Sequence, residues 1–86
     1  MFVVYILYSP SLGKFYTGYT GNMEQRLVFH NTGKNSFSRK GIPWELVANF
    51  EIEEKPDAMK LEKQIKKNGA KRYIVSAWKL HKPHSY

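Results

Sequence analysis

The chain opens on an almost continuous apolar run, Phe2-Val-Val-Tyr-Ile-Leu-Tyr8, rich in β-branched and aromatic residues. Turn chemistry follows in Ser9-Pro-Ser-Leu-Gly13, and a second such run extends from Lys14 to Thr20, so the two predict a β-hairpin. Thr20-Gly-Asn22 leads into Met23–His30, where Asn22 can cap a helix and Gln25 stands three residues later as its capping-box partner. Asn31-Thr-Gly33 ends that helix. The stretch from Asn31 to Pro43 has little apolar periodicity and carries Lys34, Arg39 and Lys40, which describes a basic surface loop. Trp44, Leu46, Ala48, Phe50 and Ile52 alternate with Glu45, Val47, Asn49, Glu51 and Glu53, the period-two pattern of a half-buried strand. Pro56 suits a first helical turn, and Ala58, Leu61 and Ile65 recur at helical spacing until Asn68-Gly69. Lys60, Lys63 and Lys67 fall on the opposite face. A last helix is predicted from Ala70 to about Lys79, with Ile74 and Trp78 inward, before Pro83. The order is ββαβαα: an α/β chain of the α+β kind, a three-stranded, mainly antiparallel sheet flanked by helices. Residues 1–80 are expected to form one domain and residues 81–86 a polar tail.

Composition narrows the functional classes. Eighty-six residues with an apolar fraction of 42% fit one folded domain rather than a disordered basic tail. Aromatics make up 15%, and six of them are tyrosines, a surplus that needs explaining. The absence of cysteine excludes disulfides, zinc ribbons and thiol catalysis. The first seven residues lack the basic start and small-residue cleavage site of a secretory signal and are far short of a membrane span, so the expectation is a cytoplasmic protein with no membrane partner. The net charge of +7 is uneven, since Glu51–Tyr86 holds nine bases against five acids. A small domain this basic points to an anionic partner, above all nucleic acid, with solubility as the plainer explanation.

Three residues resist a purely structural account. Glu62 falls within the stripe of Ala58, Leu61 and Ile65, where an unpaired carboxylate is costly; it must be paired with a base, neutralised or engaged with a metal. Arg26 and His30 are spaced i,i+4 on the first helix, at the border of the stripe made by Met23 and Leu27, so both can reach one site. The ordinary alternatives are a snorkelling arginine and a structural histidine. His81 and His84 lie in the tail at a spacing unsuited to a helical metal pair. Gly13, Gly18 and Gly21 match no phosphate cradle of the Walker or dinucleotide type, which argues against a nucleotide-cofactor enzyme.

The hairpin adds a resemblance. Val3-Val4-Tyr5 on the first strand and Tyr16-Thr17-Gly18 on the second resemble the paired motifs of the GIY-YIG nuclease superfamily, with Tyr5, Tyr16 and Gly18 identical to the motif residues. Arg26 follows Tyr16 by ten residues, His30 comes one helical turn later, and Glu62 stands on the helix after the third strand, as in that family. The stretches Tyr16–Thr20, His30–Lys34, Pro43–Val47 and Glu62–Lys67 are similar to small single-domain members related to the nuclease module of the bacterial excision-repair endonuclease. At the position where several members have a lysine, three residues after the second-motif tyrosine, this chain has Tyr19; Asn68 lies closer to Glu62 than the functional asparagine of other members.

The resemblance implies a metal-dependent DNA endonuclease. Its catalytic residues would be Tyr5, Tyr16, Arg26, His30 and Glu62, with Glu62 holding Mg²⁺, or Mn²⁺ in its place, an ion commonly bound by one or two carboxylates plus phosphate. Arg26 would fork onto the phosphate. By family analogy Tyr16, assisted by Tyr5, is the base, although His30 titrates nearer neutrality and could supply or relay the proton. Lys34, Arg39, Lys40, Lys63, Lys66 and Lys67 would make salt-sensitive phosphate contacts that read no bases. Larger relatives add a DNA-binding domain, so here selectivity is expected from a branched, damaged or single-stranded substrate or from a targeting protein, in repair or recombination. A non-catalytic nucleic-acid-binding module of the same fold is the alternative.

Overall fold

The structure, a computed structural model, describes residues 1–33 and 39–74. Lys34, residues 75–79 with Trp78, and the tail with His81 and His84 lie outside the described residues.

The first apolar run becomes β1 (Phe2–Ser9), the middle strand of a three-stranded antiparallel sheet. β2 (Lys14–Thr20) pairs along one side and β3 (Glu45–Ile52) along the other. That position explains why the run has no polar face: Val4, Tyr5, Ile6 and Leu7 are all buried, two on each side of the sheet. The β1–β2 connection closes on Ser9, whose carbonyl accepts from the Gly13 amide at 2.7 Å and whose Oγ accepts from the Leu12 amide at 3.2 Å.

Helix α1 (Met23–Asn31) starts as its sequence predicts, with Asn22 Oδ1 accepting from the Gln25 amide at 3.1 Å. Its Met23 and Leu27 pack over the Tyr5 and Leu7 face, together with Tyr16, Ile42 and Trp44. Helix α2 (Lys55–Asn68), with Pro56 in its first turn, covers the other face. Ala58 and Ile65 sit there against Val4 and Ile6, surrounded by Phe2, Phe15, Tyr19, Ala48, Phe50 and Ile52. Gly69 ends α2 at φ +90°, in the region that favours glycine, and residues 70–74 are helical again, bringing Tyr73 and Ile74 onto the same core. The predicted order ββαβαα is the observed one.

One detail departs from the sequence pattern. Alternation groups Trp44 with Ala48, Phe50 and Ile52, yet Trp44 is buried on the opposite face, with Tyr5 and Leu7. The cause is a β-bulge: Ile6 faces Ala48 while Leu7 faces Leu46, which leaves Val47 as the extra residue. Every β3 position before the bulge is thereby turned over. An extra Val inside an apolar–polar alternation leaves the pattern of residue types intact, so the bulge is silent in sequence. Its effect is to deliver Trp44 to the face that carries the two motif tyrosines.

Ile65→Ala should cost about 2–5 kcal/mol, because Ile65 is fully buried at the centre of the α2-side core. A urea unfolding curve with a lowered midpoint and unchanged slope would show it.

Candidate functional site

Two adjacent strands build the site through their register. Tyr5 pairs with Gly18, and Leu7 with Tyr16, so Tyr16 and Gly18 share the face of Tyr5. The Tyr5 ring lies directly over Gly18: a Cβ there would stand 2.6 Å from Tyr5 Oη and 2.8 Å from Cζ. Only glycine leaves room for the ring, which is the physical content of the Tyr16-Thr17-Gly18 motif. Tyr5 is 1% exposed, whereas Tyr16 keeps part of its surface open and stacks on it with centroids 6.3 Å apart.

Helix α1 closes the cluster from above. His30 is buried, and its Nε2 is 3.1 Å from Tyr5 Oη. Its ring also meets that of Tyr16 at 4.8 Å. His30 Nδ1 has no hydrogen-bond partner among the described residues. One turn earlier, Arg26 is exposed at the rim, with its guanidinium 5.7 Å from the Phe29 ring centroid.

The electrostatics tie the five predicted residues together. Burial raises the Tyr5 phenol well above its ordinary value; Tyr16 and Glu62 add to the rise, and Arg26 opposes it. Burial lowers the His30 imidazole, and Arg26 lowers it further. Near neutral pH Tyr5 therefore keeps its proton and His30 is uncharged. Because the Glu62 carboxylate acts on Tyr5, α2 brings it within electrostatic reach of the hairpin cluster although it packs on the far face of the sheet. The Glu62 side chain is 17% exposed and lies 3.6 Å from the Lys66 ammonium, an i,i+4 pair. The expected base for the misplaced carboxylate is thus Lys66, itself half-exposed.

The remaining basic residues spread around this centre. Lys63 and Lys67 are exposed on α2, and Arg39 and Lys40 on the segment before β3. Arg39 donates from Nε to the Gly33 carbonyl at 3.1 Å, which ties that segment to the end of α1. Tyr19, which stands where several similar proteins have a lysine, points away from the cluster into the α2-side core.

Sequence reasoning missed Asn31 and Trp44 as parts of the site. Asn31 clamps the Trp44 backbone from both ends: Oδ1 accepts from its amide at 2.7 Å, and Nδ2 donates to its carbonyl at 3.2 Å. The clamp joins the last residue of α1 to the entry of β3. It seats the indole 6.2 Å from the Tyr16 ring and 6.4 Å from His30. Gly41 makes room for it, since a Cβ there would run into the indole. The signal was present in the stretch His30-Asn31, but a helix-ending Asn reads equally well as a cap.

With this geometry in view, residues 1–74 match the GIY-YIG catalytic domain, and the chain belongs to that nuclease-type family. It is 38% identical over 64 residues to the UPF0213 protein BH0048 of Halalkalibacterium halodurans, a match covering 73% of this chain and 67% of that protein. It is 40% identical over 48 residues to the UPF0213 protein YsiG of Lactococcus lactis, covering 55% of this chain and 46%, about half, of that relative. The solution NMR structure of the UPF0213 protein BH0048 from Bacillus halodurans superposes with a TM-score of 0.55 at 33% identity, over 90% of this chain and 85% of that one. The family implies nucleic-acid binding. Among the described residues no helix is long and apolar enough to cross a membrane.

Two measurements bear on the cluster. Asn31→Ala should cost about 2 kcal/mol, two backbone-directed hydrogen bonds at about 1 kcal/mol each, and quench or shift Trp44 fluorescence in the folded protein. Stability should also fall with acid. His30 is lowered in the folded chain from 6.5, so below that pH the unfolded chain binds the extra proton first. The loss begins near pH 6.5 and levels off below the folded value. Urea midpoints at pH 7.5 and 5.5 should differ in the wild type and differ less in His30→Gln.

Proposed function

We propose that this chain is a metal-dependent endonuclease that hydrolyses phosphodiester bonds in DNA. One observation carries the reading: Tyr5 Oη accepts or donates a hydrogen bond at His30 and at the same time lies in the fields of Tyr16, Arg26 and Glu62. Residues from β1, β2 and α1 thus meet around one hydroxyl, on which the charge of Glu62 from α2 also acts.

In this reading Arg26, exposed and at the rim, receives the scissile phosphate with its planar fork of donors and stabilises the charge that builds on it. Tyr16 is the partly open ring and faces the substrate. Tyr5 and His30 stand behind it, hold its orientation, and give the site one neutral imidazole able to take up a proton.

The donor set agrees with a hard ion of the Mg²⁺ type. Among the described residues no three His, Cys, Asp or Glu side chains come together. A lone carboxylate, Glu62, suits an ion that keeps several waters and binds phosphate directly. When bound, such an ion supplies Lewis-acid stabilisation of the phosphate and leaving oxygen; Mn²⁺ would serve in its place. Arg39, Lys40, Lys63 and Lys67 would hold the flanking backbone without reading sequence, which leaves selectivity to DNA structure or to a targeting protein. The Glu62–Lys66 pair favours a second reading, a binding module of the same fold with its carboxylate already satisfied.

A nicking assay with Mg²⁺ on branched, gapped and single-stranded DNA separates the two. Wild type should cleave, and Glu62→Gln and Arg26→Ala should each lower the rate by about 10²–10³-fold. Undiminished cleavage by Glu62→Gln, or salt-sensitive binding with no cleavage on any substrate, would sink the catalytic reading.

A further inference from the structure

Beside the cluster lies an open cleft of about 370 Å³ lined by Thr20, Asn22, Gln25, Arg26 and Phe29. Its aromatic wall is unusual in position. Phe29 is 38% exposed, although a large apolar ring on a helix is ordinarily turned inward. It is three residues from Arg26 and therefore on the same side of α1, and its other edge meets the His30 ring at 5.8 Å. The cleft thus has the guanidinium in its lining, and its Phe29 wall touches the His30 ring of the cluster.

We infer that this cleft is a subsite for one unpaired nucleobase of the bound strand, stacked against Phe29 while Arg26 holds the neighbouring phosphate. The inference rests on the phosphate-binding role given above to Arg26 and adds a substrate class to it. An exposed ring next to a planar cation is the arrangement that binds single strands, because every base offers a π-face whatever its sequence. A base inside a duplex is already stacked on both sides and cannot offer that face unless it is extruded. The polar lining is equally tolerant. Asn22 Oδ1 is committed to the Gln25 amide and Thr20 Oγ1 to the Asn22 backbone, which leaves the Asn22 Nδ2 donors and the exposed Gln25 carboxamide, with one donor end and one acceptor end, for a base edge. With a net charge of +7, the strand is held by its phosphates in any case; the subsite makes an unpaired base beside the scissile phosphate part of what is recognised.

The test is equilibrium binding by fluorescence anisotropy with the full chain, in EDTA, so that no cleavage is needed. The probes are a labelled thymidine decamer and an abasic decamer of equal charge. Wild type should bind the base-bearing strand about tenfold more tightly. Phe29→Ala and Phe29→Leu, the latter keeping apolar bulk, should bring its affinity down to that of the abasic strand, and Phe29→Trp should preserve the difference. Val28→Ala, at a 62% exposed neighbour outside the cleft, should change neither. A deoxyuridine and a uridine decamer, each beside an abasic strand of the same sugar, tell ribose from deoxyribose strands, and base dependence with either supports the subsite. Equal affinity of wild type for base-bearing and abasic strands, or an equal loss on both in Phe29→Leu, overturns it. Base discrimination in a protein that never nicks DNA removes the nuclease reading and leaves the subsite; nicking without base discrimination does the reverse.

Discussion

The close approach of the Tyr5 ring to Gly18 is the constraint on which the site depends. A strand in the middle of a sheet has little freedom, and a ring of this size on β1 must lie across its neighbour on β2. It can do so only where β2 carries no Cβ. Once it lies there, its hydroxyl is carried past the sheet to α1, where it meets His30, and its face is presented to Tyr16. The strand register, the choice of glycine and the placing of the titratable groups are therefore one decision. A side chain at position 18 would act on the site as well as on the sheet.

The same arrangement accounts for two of the six tyrosines, Tyr5 and Tyr16. β1 divides the apolar residues between two faces, and the face toward α1 is filled by Tyr5, Leu7 and Trp44 with Tyr16, Met23 and Leu27 around them. The site is thus built out of half of the core. Aromatic residues suit that double role, since each buries a large area yet ends in, or stacks on, a polar group. Leu or Ile would pack as well but leave no hydroxyl for His30. The face toward α2 is centred on the aliphatic Val4, Ile6, Ala58 and Ile65, with Tyr19 and Tyr73 among the partly buried residues around them.

Much of this was legible because local rules and tertiary packing agree. The hairpin, the Asn22 cap and the Pro56 start and Gly69 stop of α2 follow from residue type and spacing, whereas the grouping of Tyr5, Tyr16, Arg26, His30 and Glu62 came from the resemblance to the GIY-YIG family. What was not legible depends on pairing between segments distant in sequence. The bulge at Val47 is decided by how β3 meets β1, and the Asn31–Trp44 clamp by the return of the chain to the end of α1. Neither changes a hydrophobic pattern. The Glu62–Lys66 pair lay within one helix and was readable as a spacing, since of the five lysines on α2 only Lys66 stands three or four residues from Glu62.

On the reading that Arg26 receives a phosphate, the charges around the hydroxyl also account for its place at the rim rather than inside. Its positive charge acts in the same direction on both buried groups: it eases proton loss from Tyr5 and opposes proton gain by His30. In the free protein the second effect adds to burial, so the imidazole stays neutral. An anion seated on Arg26 offsets the guanidinium field at both groups, and the main opposition to a charged His30 is then burial alone. Phosphate binding and proton uptake would in that way favour each other without any movement of the backbone. A cation placed deeper, out of reach of the substrate, would hold the imidazole down whether or not a phosphate was present.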